Sequence, residues 1–282
     1  MEDELDAVKR FRAGVFGRGA RDYDRVGTPI FGGLGRRLVE LAGVQAGDRV
    51  LDVATGRGAV LFAAAELAGE RGRVIGVDLA EEMVALTSAD IQARGVTNTE
   101  VRVTDAERLS EFIDEEFDCV TCAFAIFFLP APASALREFH RVLRPGGTVA
   151  LSSWASSDDP RYEWYRELRR EFEVSVSLET RTFGTPDELA AALSASGFTD
   201  VRVSTERALL RLNDPEEWWE WLLTGGGRAM VESLEPEARA RFRQAAFERI
   251  RDVYEAGAPE LDEEALLAVA TKPPGCTIAL RR

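Results

Sequence analysis

Between residues 49 and 154, short and almost continuously apolar runs alternate with segments of helical pattern, and this alternation constrains the fold more than any other feature. The apolar runs at 49–54, 74–78, 100–104, 117–124 and 147–154 read as strands. Helical patterns at 59–68, 80–94, 107–113 and 133–143 lie between them. A strand that is apolar on both faces must be covered on both faces, which a parallel sheet wrapped by its own crossover helices achieves. Pro145-Gly146-Gly147 marks the turn from the last of these helices into the last strand. Residues 1–48 read as helical, with Val8, Phe11 and Val15 at helical spacing and a second helix at 34–41 before Gly43. Beyond Trp154 the expected order is a helix at 162–172, a helix at 186–196 capped by Thr185, and a strand at 199–210. A helical stretch at 215–256 follows, broken at Gly225-Gly226-Gly227 and near Pro236, and then strand patterns at 265–270 and 277–280.

Charge narrows the partners. Asp and Glu number 49 against 35 Lys and Arg, a net charge of −14. A nucleic-acid binder needs a basic footprint, and anionic lipid repels such a chain, so neither partner is expected. The apolar run from Cys122 to Leu129 is too short to span a bilayer, the acidic start carries no secretory pattern, and three cysteines are too few for a disulfide framework. The expectation is a reduced, cytoplasmic protein without membrane insertion, with a homo-oligomer left open.

The chemistry gathers at the strand ends. The first strand runs through Asp52 and Ala54 into Thr55-Gly56-Arg57-Gly58 and then a helix. Glycines there permit a tight turn and close approach of a ligand to backbone N–H groups; the plain alternative is an ordinary strand-to-helix turn. Asp78 ends the second strand, 20 residues after Gly58. Its two carboxylate oxygens match the vicinal hydroxyls of a ribose, a role compatible with capping the following helix. Asp105 and Ala106 follow the third strand, where a carboxylate and a free N–H can read the amino edge of adenine. A dinucleotide fingerprint wants a third glycine where Leu61 stands, which weakens a nicotinamide or flavin reading.

Taken in register, these segments, with 117–124 and the run from Leu136 to Gly147, resemble the class I S-adenosylmethionine-dependent methyltransferases. The nearest group is the small-molecule branch around the ubiquinone/menaquinone biosynthesis methyltransferases, and the likeness is good over about residues 40–155. It implies an α/β, Rossmann-like, seven-stranded and mostly parallel sheet in the order 3-2-1-4-5-7-6. Residues 1–45 would be N-terminal helices, 46–155 the cofactor-binding core, and 156–282 cap helices and last strands of the same domain. It further implies that Asp52 faces the methionine end of S-adenosylmethionine, with Ala54, Gly56 and Gly58 giving backbone contacts. Asp78 would hold the ribose, Leu79 and Met83 the adenine face, and Asp105 and Ala106 its edge, with Ala123 and Phe124 as the floor. Tyr23 resembles the N-terminal tyrosine that approaches the sulfonium. The polar anchors of the quinone branch are missing after Phe124, where Ala125-Ile126-Phe127-Phe128-Leu129 stands instead.

The implied activity is methyl transfer to an apolar small molecule, with Phe127, Phe128 and Trp154 forming an aromatic pocket and Tyr23 and Trp154 nearest the reaction. Alternatives are a methyltransferase-like fold that uses the cofactor structurally for a cyclisation or isomerisation, an NAD-dependent oxidoreductase, and a non-enzymatic binding module. His140, the only histidine, lies at helical spacing between Leu136 and Leu143 and reads as structural. Without a histidine base, carbon or nitrogen is the favoured acceptor. Cys119 and Cys122 would face opposite sides of a strand, so no metal is expected. Trp218, Trp219 and Trp221 are either core or a lid.

Overall fold

The computed structural model describes residues 2–156, 162–174, 176, 178, 183–254 and 259–274. Seven strands form one sheet: β1 (Arg49–Val53), β2 (Arg73–Asp78), β3 (Thr99–Val103), β4 (Phe117–Ala123), β5 (Leu143–Trp154), β6 (Thr199–Arg211) and β7 (Glu260–Thr271). Their order is 3-2-1-4-5-7-6, and β7 runs antiparallel to both of its neighbours. The parallel register pairs Val50 with Val74 and with Cys119, and Val120 with Val149. These central positions are fully buried, as strands covered on both faces must be.

Helices α1 (Glu2–Gly19) and α2 (Phe31–Ala42) precede the sheet, and α3 (Ala59–Ala68), α4 (Glu81–Arg94) and α5 (Pro132–Val142) connect its parallel strands. Leu61, which occupies the place of a third fingerprint glycine, is completely buried. The close helix-to-strand approach is made possible from the other side: a Cβ on Gly76 of β2 would lie 2.8 Å from Leu61 Cδ1. Helix α2 approaches α3 by the same device at Gly35, whose Cβ would meet Ala59 O at 2.8 Å.

Three local expectations are corrected. The helix expected at 107–113 is a series of turns. Its backbone groups are satisfied by α5 instead: Leu109 N–H donates to Glu138 (2.8 Å), and the carbonyls of Leu109 and Phe112 accept from Arg141 (2.9 Å each). The Pro145-Gly146-Gly147 turn is a bulge inside β5, because Phe117 pairs with Leu143 and Cys119 with Thr148. Phe11 is 51% exposed and leaves the inner face of α1 to Val15. The strand pattern at 277–280 and Cys276 lie outside the described residues.

A second apolar core lies beyond the sheet. It joins α6 (Glu163–Glu171), α8 (Pro215–Leu222), α9 (Gly227–Glu232) and α10 (Pro236–Val253) through Trp164, Leu168, Trp218, Trp219, Met230 and Phe242. β6 and β7 reach into it with Leu210 and Leu261, while α7 (Pro186–Ala195) packs on the main core through Leu189 and Leu193. Thr185 caps α7 reciprocally with Glu188. Trp218 and Trp219 are thus core residues of this cap.

Two substitutions in α2 are expected to act in opposite senses. Gly35→Ala drives a methyl into the α3 backbone and should destabilise by about 1–3 kcal/mol. Gly33→Ala, where a Cβ meets nothing within 4 Å, should stabilise by up to about 1 kcal/mol. Thermal unfolding of both variants checks the pair.

Candidate active site

Three adjoining cavities open beyond the carboxyl ends of β1, β2 and β4, where the strand order switches direction on either side of β1. The first is bordered by Ala54, Gly56, Asp78, Leu79, Met83, Asp105, Ala106, Ala123 and Phe124, so it gathers nearly every residue expected at the adenosine. Asp78 accepts the Gly56 N–H on one oxygen and the Ala80 N–H on the other, both at 2.9 Å. Removal from water raises its pKa, against these backbone donors. Each oxygen keeps a lone pair for a further donor. Asp105 accepts the Glu107 N–H at 2.9 Å and the Lys9 ammonium at 2.7 Å.

The second cavity lies along the glycine loop and takes in Asp52, Thr55, Gly56, Arg57 and Gly58. Gly56 and Gly58 have φ of 50° and 81°, left-handed values natural to glycine. The Asp52 carboxylate is buried and accepts the hydroxyls of Thr55 (2.6 Å) and Thr121 (2.8 Å). Burial pushes its pKa up to about 6 in spite of both hydroxyls. Arg57 ties the loop to the chain after α1 by donating to Ala20 O at 2.8 Å, and it pairs with Asp90 at 2.5 Å.

The third cavity is aromatic. Trp154 lies 4.4 Å from Phe124 between ring centroids and 6.0 Å from Phe31, and Phe128 packs edge-on against Phe16 at 5.0 Å. Tyr23 stacks on Phe31 at 5.3 Å with an interplanar angle of 8°. Tyr23 and Phe124 border all three cavities. Burial, with Asp24 and Asp78 adding repulsion, raises the Tyr23 pKa and keeps its phenol protonated. The backbones of Ala54 and Phe124 leave β1 and β4 with φ of 55° and 51°, uncommon for residues with side chains and the kind of strain that gathers at ligand sites.

Phe127 is the exception among the expected pocket residues. It is 4% exposed, belongs to the main core and borders none of these three cavities; its ring backs Phe128 at 4.5 Å. His140 packs edge-on against Phe198 at 5.1 Å on α5 and likewise borders none of them. Cys119 and Cys122 are free and buried, and burial raises both thiols. Among the described residues no group of three or more His, Cys, Asp or Glu could hold a metal.

Sequence reasoning missed the wall made by α1. Lys9, Arg12, Ala13 and Phe16 close the first cavity. Lys9 pairs with Asp105 at 2.7 Å and Glu107 at 2.6 Å. Burial works to lower the pKa of Lys9, but these two carboxylates outweigh it and the net shift is upward. Arg12 donates to Phe128 O. The available signal was composition: Lys9 is one of only two lysines in an arginine-rich chain. Trp221 also faces the third cavity, unlike its two core neighbours.

Residues 51–151 match the methyltransferase domain family. Nocamycin O-methyltransferase of Saccharothrix syringae is 34% identical over 263 residues, covering 87% of this chain and 92% of that protein. Ubiquinone/menaquinone biosynthesis C-methyltransferase UbiE of Pseudomonas putida is 39% identical over 144 residues, covering 49% of this chain and 56% of that protein. This chain therefore aligns with little more than half of the latter. Among solved structures, the YcgJ protein of Bacillus subtilis shares the fold with a TM-score of 0.60 at 23% identity, over 87% of this chain and 99% of that one. Fold, strand-end geometry and full-length relative agree: the chain belongs to the class I S-adenosylmethionine-dependent methyltransferases.

Proposed function

We propose that the protein methylates an oxygen of an apolar small molecule held in the aromatic cavity, as a cytoplasmic step of secondary metabolism. The observation that carries this reading is the shared border: Tyr23 and Phe124 face the adenosine-side cavity, the glycine-loop cavity and the aromatic cavity alike. A donor lying along the first two and an acceptor in the third meet at these two rings. The aromatic cavity has a volume of about 370 Å³, within the range of small-molecule pockets.

The residues fit the cofactor. Ala54, Gly56 and Ala123 make a strip of small side chains, and a Cβ built on Gly56 meets nothing within 4 Å. In this reading Asp78 receives the ribose hydroxyls, Asp105 and Ala106 the adenine edge, and Leu79 and Met83 its face. Asp52 and the loop around Gly58 attend the amino-acid end. When bound, the cofactor supplies a methyl group on a sulfonium, a leaving group that needs no help from the protein.

What the protein adds is position and dryness. Holding two reactants in line for attack can supply roughly 7–11 kcal/mol. Phe31, Phe124, Phe128 and Trp154 exclude water from a step in which positive charge disperses. Tyr23 remains a phenol, so it orients and cannot take the acceptor proton. An oxygen acid enough to ionise unaided suits such a site. The relative aligned over 92% of its length is an O-methyltransferase, which supports oxygen over the carbon or nitrogen favoured from the lack of a histidine base. Among the described residues no helix is long and apolar enough to cross a membrane.

Three measurements test this reading. Asp78→Ala should weaken S-adenosylmethionine by at least ~10-fold in calorimetry, the cost of losing charge-assisted bonds to a diol; unchanged affinity would remove the ribose role. Because the Asp52 carboxyl loses its charge as pH falls through about 6, and the raised Asp78 acts in the same sense, affinity for the cationic cofactor should drop with acidification. Asp52→Asn should flatten that pH dependence. Finally, substrate incubated with methyl-labelled cofactor should emerge labelled; a rearranged, unlabelled product would favour the cyclisation alternative.

A further inference from the structure

We propose that Arg169 is a specificity residue that holds an acidic group of the acceptor, at the wall of the aromatic cavity turned away from the cofactor. The inference rests on the reading that this cavity receives the acceptor, and it adds a chemical class: an apolar molecule carrying a carboxylate or a similarly acidic group.

Arg169 lies on α6 and lines the aromatic cavity beside Val176, Leu178 and Trp221. Its Nε is buried and has no hydrogen-bond partner. Arg57 Nε is likewise buried and unpaired, but the rest of that guanidinium is held by Ala20 O and Asp90. With 49 Asp and Glu, most other cations at the site have found an acceptor: Lys9 pairs with Asp105, Arg12 with Phe128 O, and Arg57 with Asp90. Glu263, the other charged residue on the cavity wall, already has an interaction of its own. A buried N–H without an acceptor costs free energy that a ligand oxygen can return. The planar guanidinium fork presents paired donors that match the two oxygens of a carboxylate.

The placement distinguishes anchoring from reaction. Tyr23 and Phe124 are shared with the cofactor cavities, whereas Arg169 borders only the aromatic one. An anion held by Arg169 is therefore a handle, and the atom to be methylated lies elsewhere on the same molecule, towards Tyr23. Aromatic walls bind the body of the ligand with little directional preference. A fixed charge at one end decides which way round it lies.

The test uses the whole chain saturated with S-adenosylhomocysteine, titrated calorimetrically with 2-naphthoate and its neutral counterpart 2-naphthamide. Wild type should prefer the anion by at least ~10-fold, the scale of one charge-assisted pairing. Arg169→Met should erase the preference while leaving the affinities for 2-naphthamide and S-adenosylhomocysteine unchanged, and Arg169→Lys should retain part of it. Equal affinity of the two probes in wild type, no binding of either, or a preference that survives in Arg169→Met overturns the proposal. Formation of methyl 2-naphthoate on addition of S-adenosylmethionine overturns it too, because the anion would then be the acceptor. Failure of wild type to bind S-adenosylhomocysteine is a separate result and strikes the functional reading instead.

Discussion

One buried carboxylate organises the cofactor end of the molecule. Asp52 accepts the hydroxyl of Thr55 from the glycine loop and that of Thr121 from β4, so loop and neighbouring strand are fastened to the same group. The Thr55 N–H donates to Val77 O at 2.9 Å, which brings the end of β2 into the arrangement. The upward shift of the Asp52 pKa shows that the interior resists this charge and that the hydroxyls only partly compensate. From here the chain departs at Ala54 with a left-handed backbone, and Phe124 does the same at the end of β4. The crevice between β1 and β4 exists because the two strands turn away there. The loop around Gly56, the carboxylate of Asp78 and the ring of Phe124 all take their positions from it.

The parallel sheet was legible because apolar runs of strand length with glycine turns leave few other arrangements, and the runs at 49–54 and 74–78 match β1 and β2 to within a residue. Acids at strand ends were legible for the same reason: topology carries Asp78 and Asp105 to one rim whatever their side chains do. Legibility failed where long-range contacts overrule local pattern. The segment 107–113 has helical periodicity, but Glu138 and Arg141 on α5 satisfy its backbone and leave it as turns. Phe127 and Phe128 are adjacent and chemically equal, and only the short helical turn at Ile126–Phe128 decides that one enters the core and the other the cavity. Lys9 lies 96 residues from Asp105, a separation that no periodicity reports. Arg169 gave no local signal, since an arginine on an amphipathic helix ordinarily means a solvated face.

The relatives differ in how far along the chain their similarity extends. The stretch shared with UbiE covers 49% of this chain, whereas that shared with nocamycin O-methyltransferase covers 87%. The matched methyltransferase domain, 51–151, ends inside β5, before the second core of Trp164, Trp218 and Phe242 begins. On the proposed reading, cofactor chemistry is tied to the sheet and acceptor choice is left to the side chains of the cap.

The ribbon of β6 and β7 has a mechanical consequence. Its ladder runs without interruption from Val203 opposite Ala268, beside the sheet, to Arg211 opposite Glu260, within the cap. Such a ribbon cannot bend at one point without breaking several backbone pairs together. Helix α1 is fastened differently, by discrete ties from Lys9, Arg12 and Arg18 and a small apolar patch around Val15. The more exposed Arg18–Glu232 pair weakens with salt, whereas the buried Lys9 pairs are screened much less. The walls of the enclosure are thus held in two ways, β6 and β7 by a continuous backbone ladder and α1 by side-chain contacts, ionic at Lys9 and Arg18 and apolar at Ala13, Val15 and Phe16.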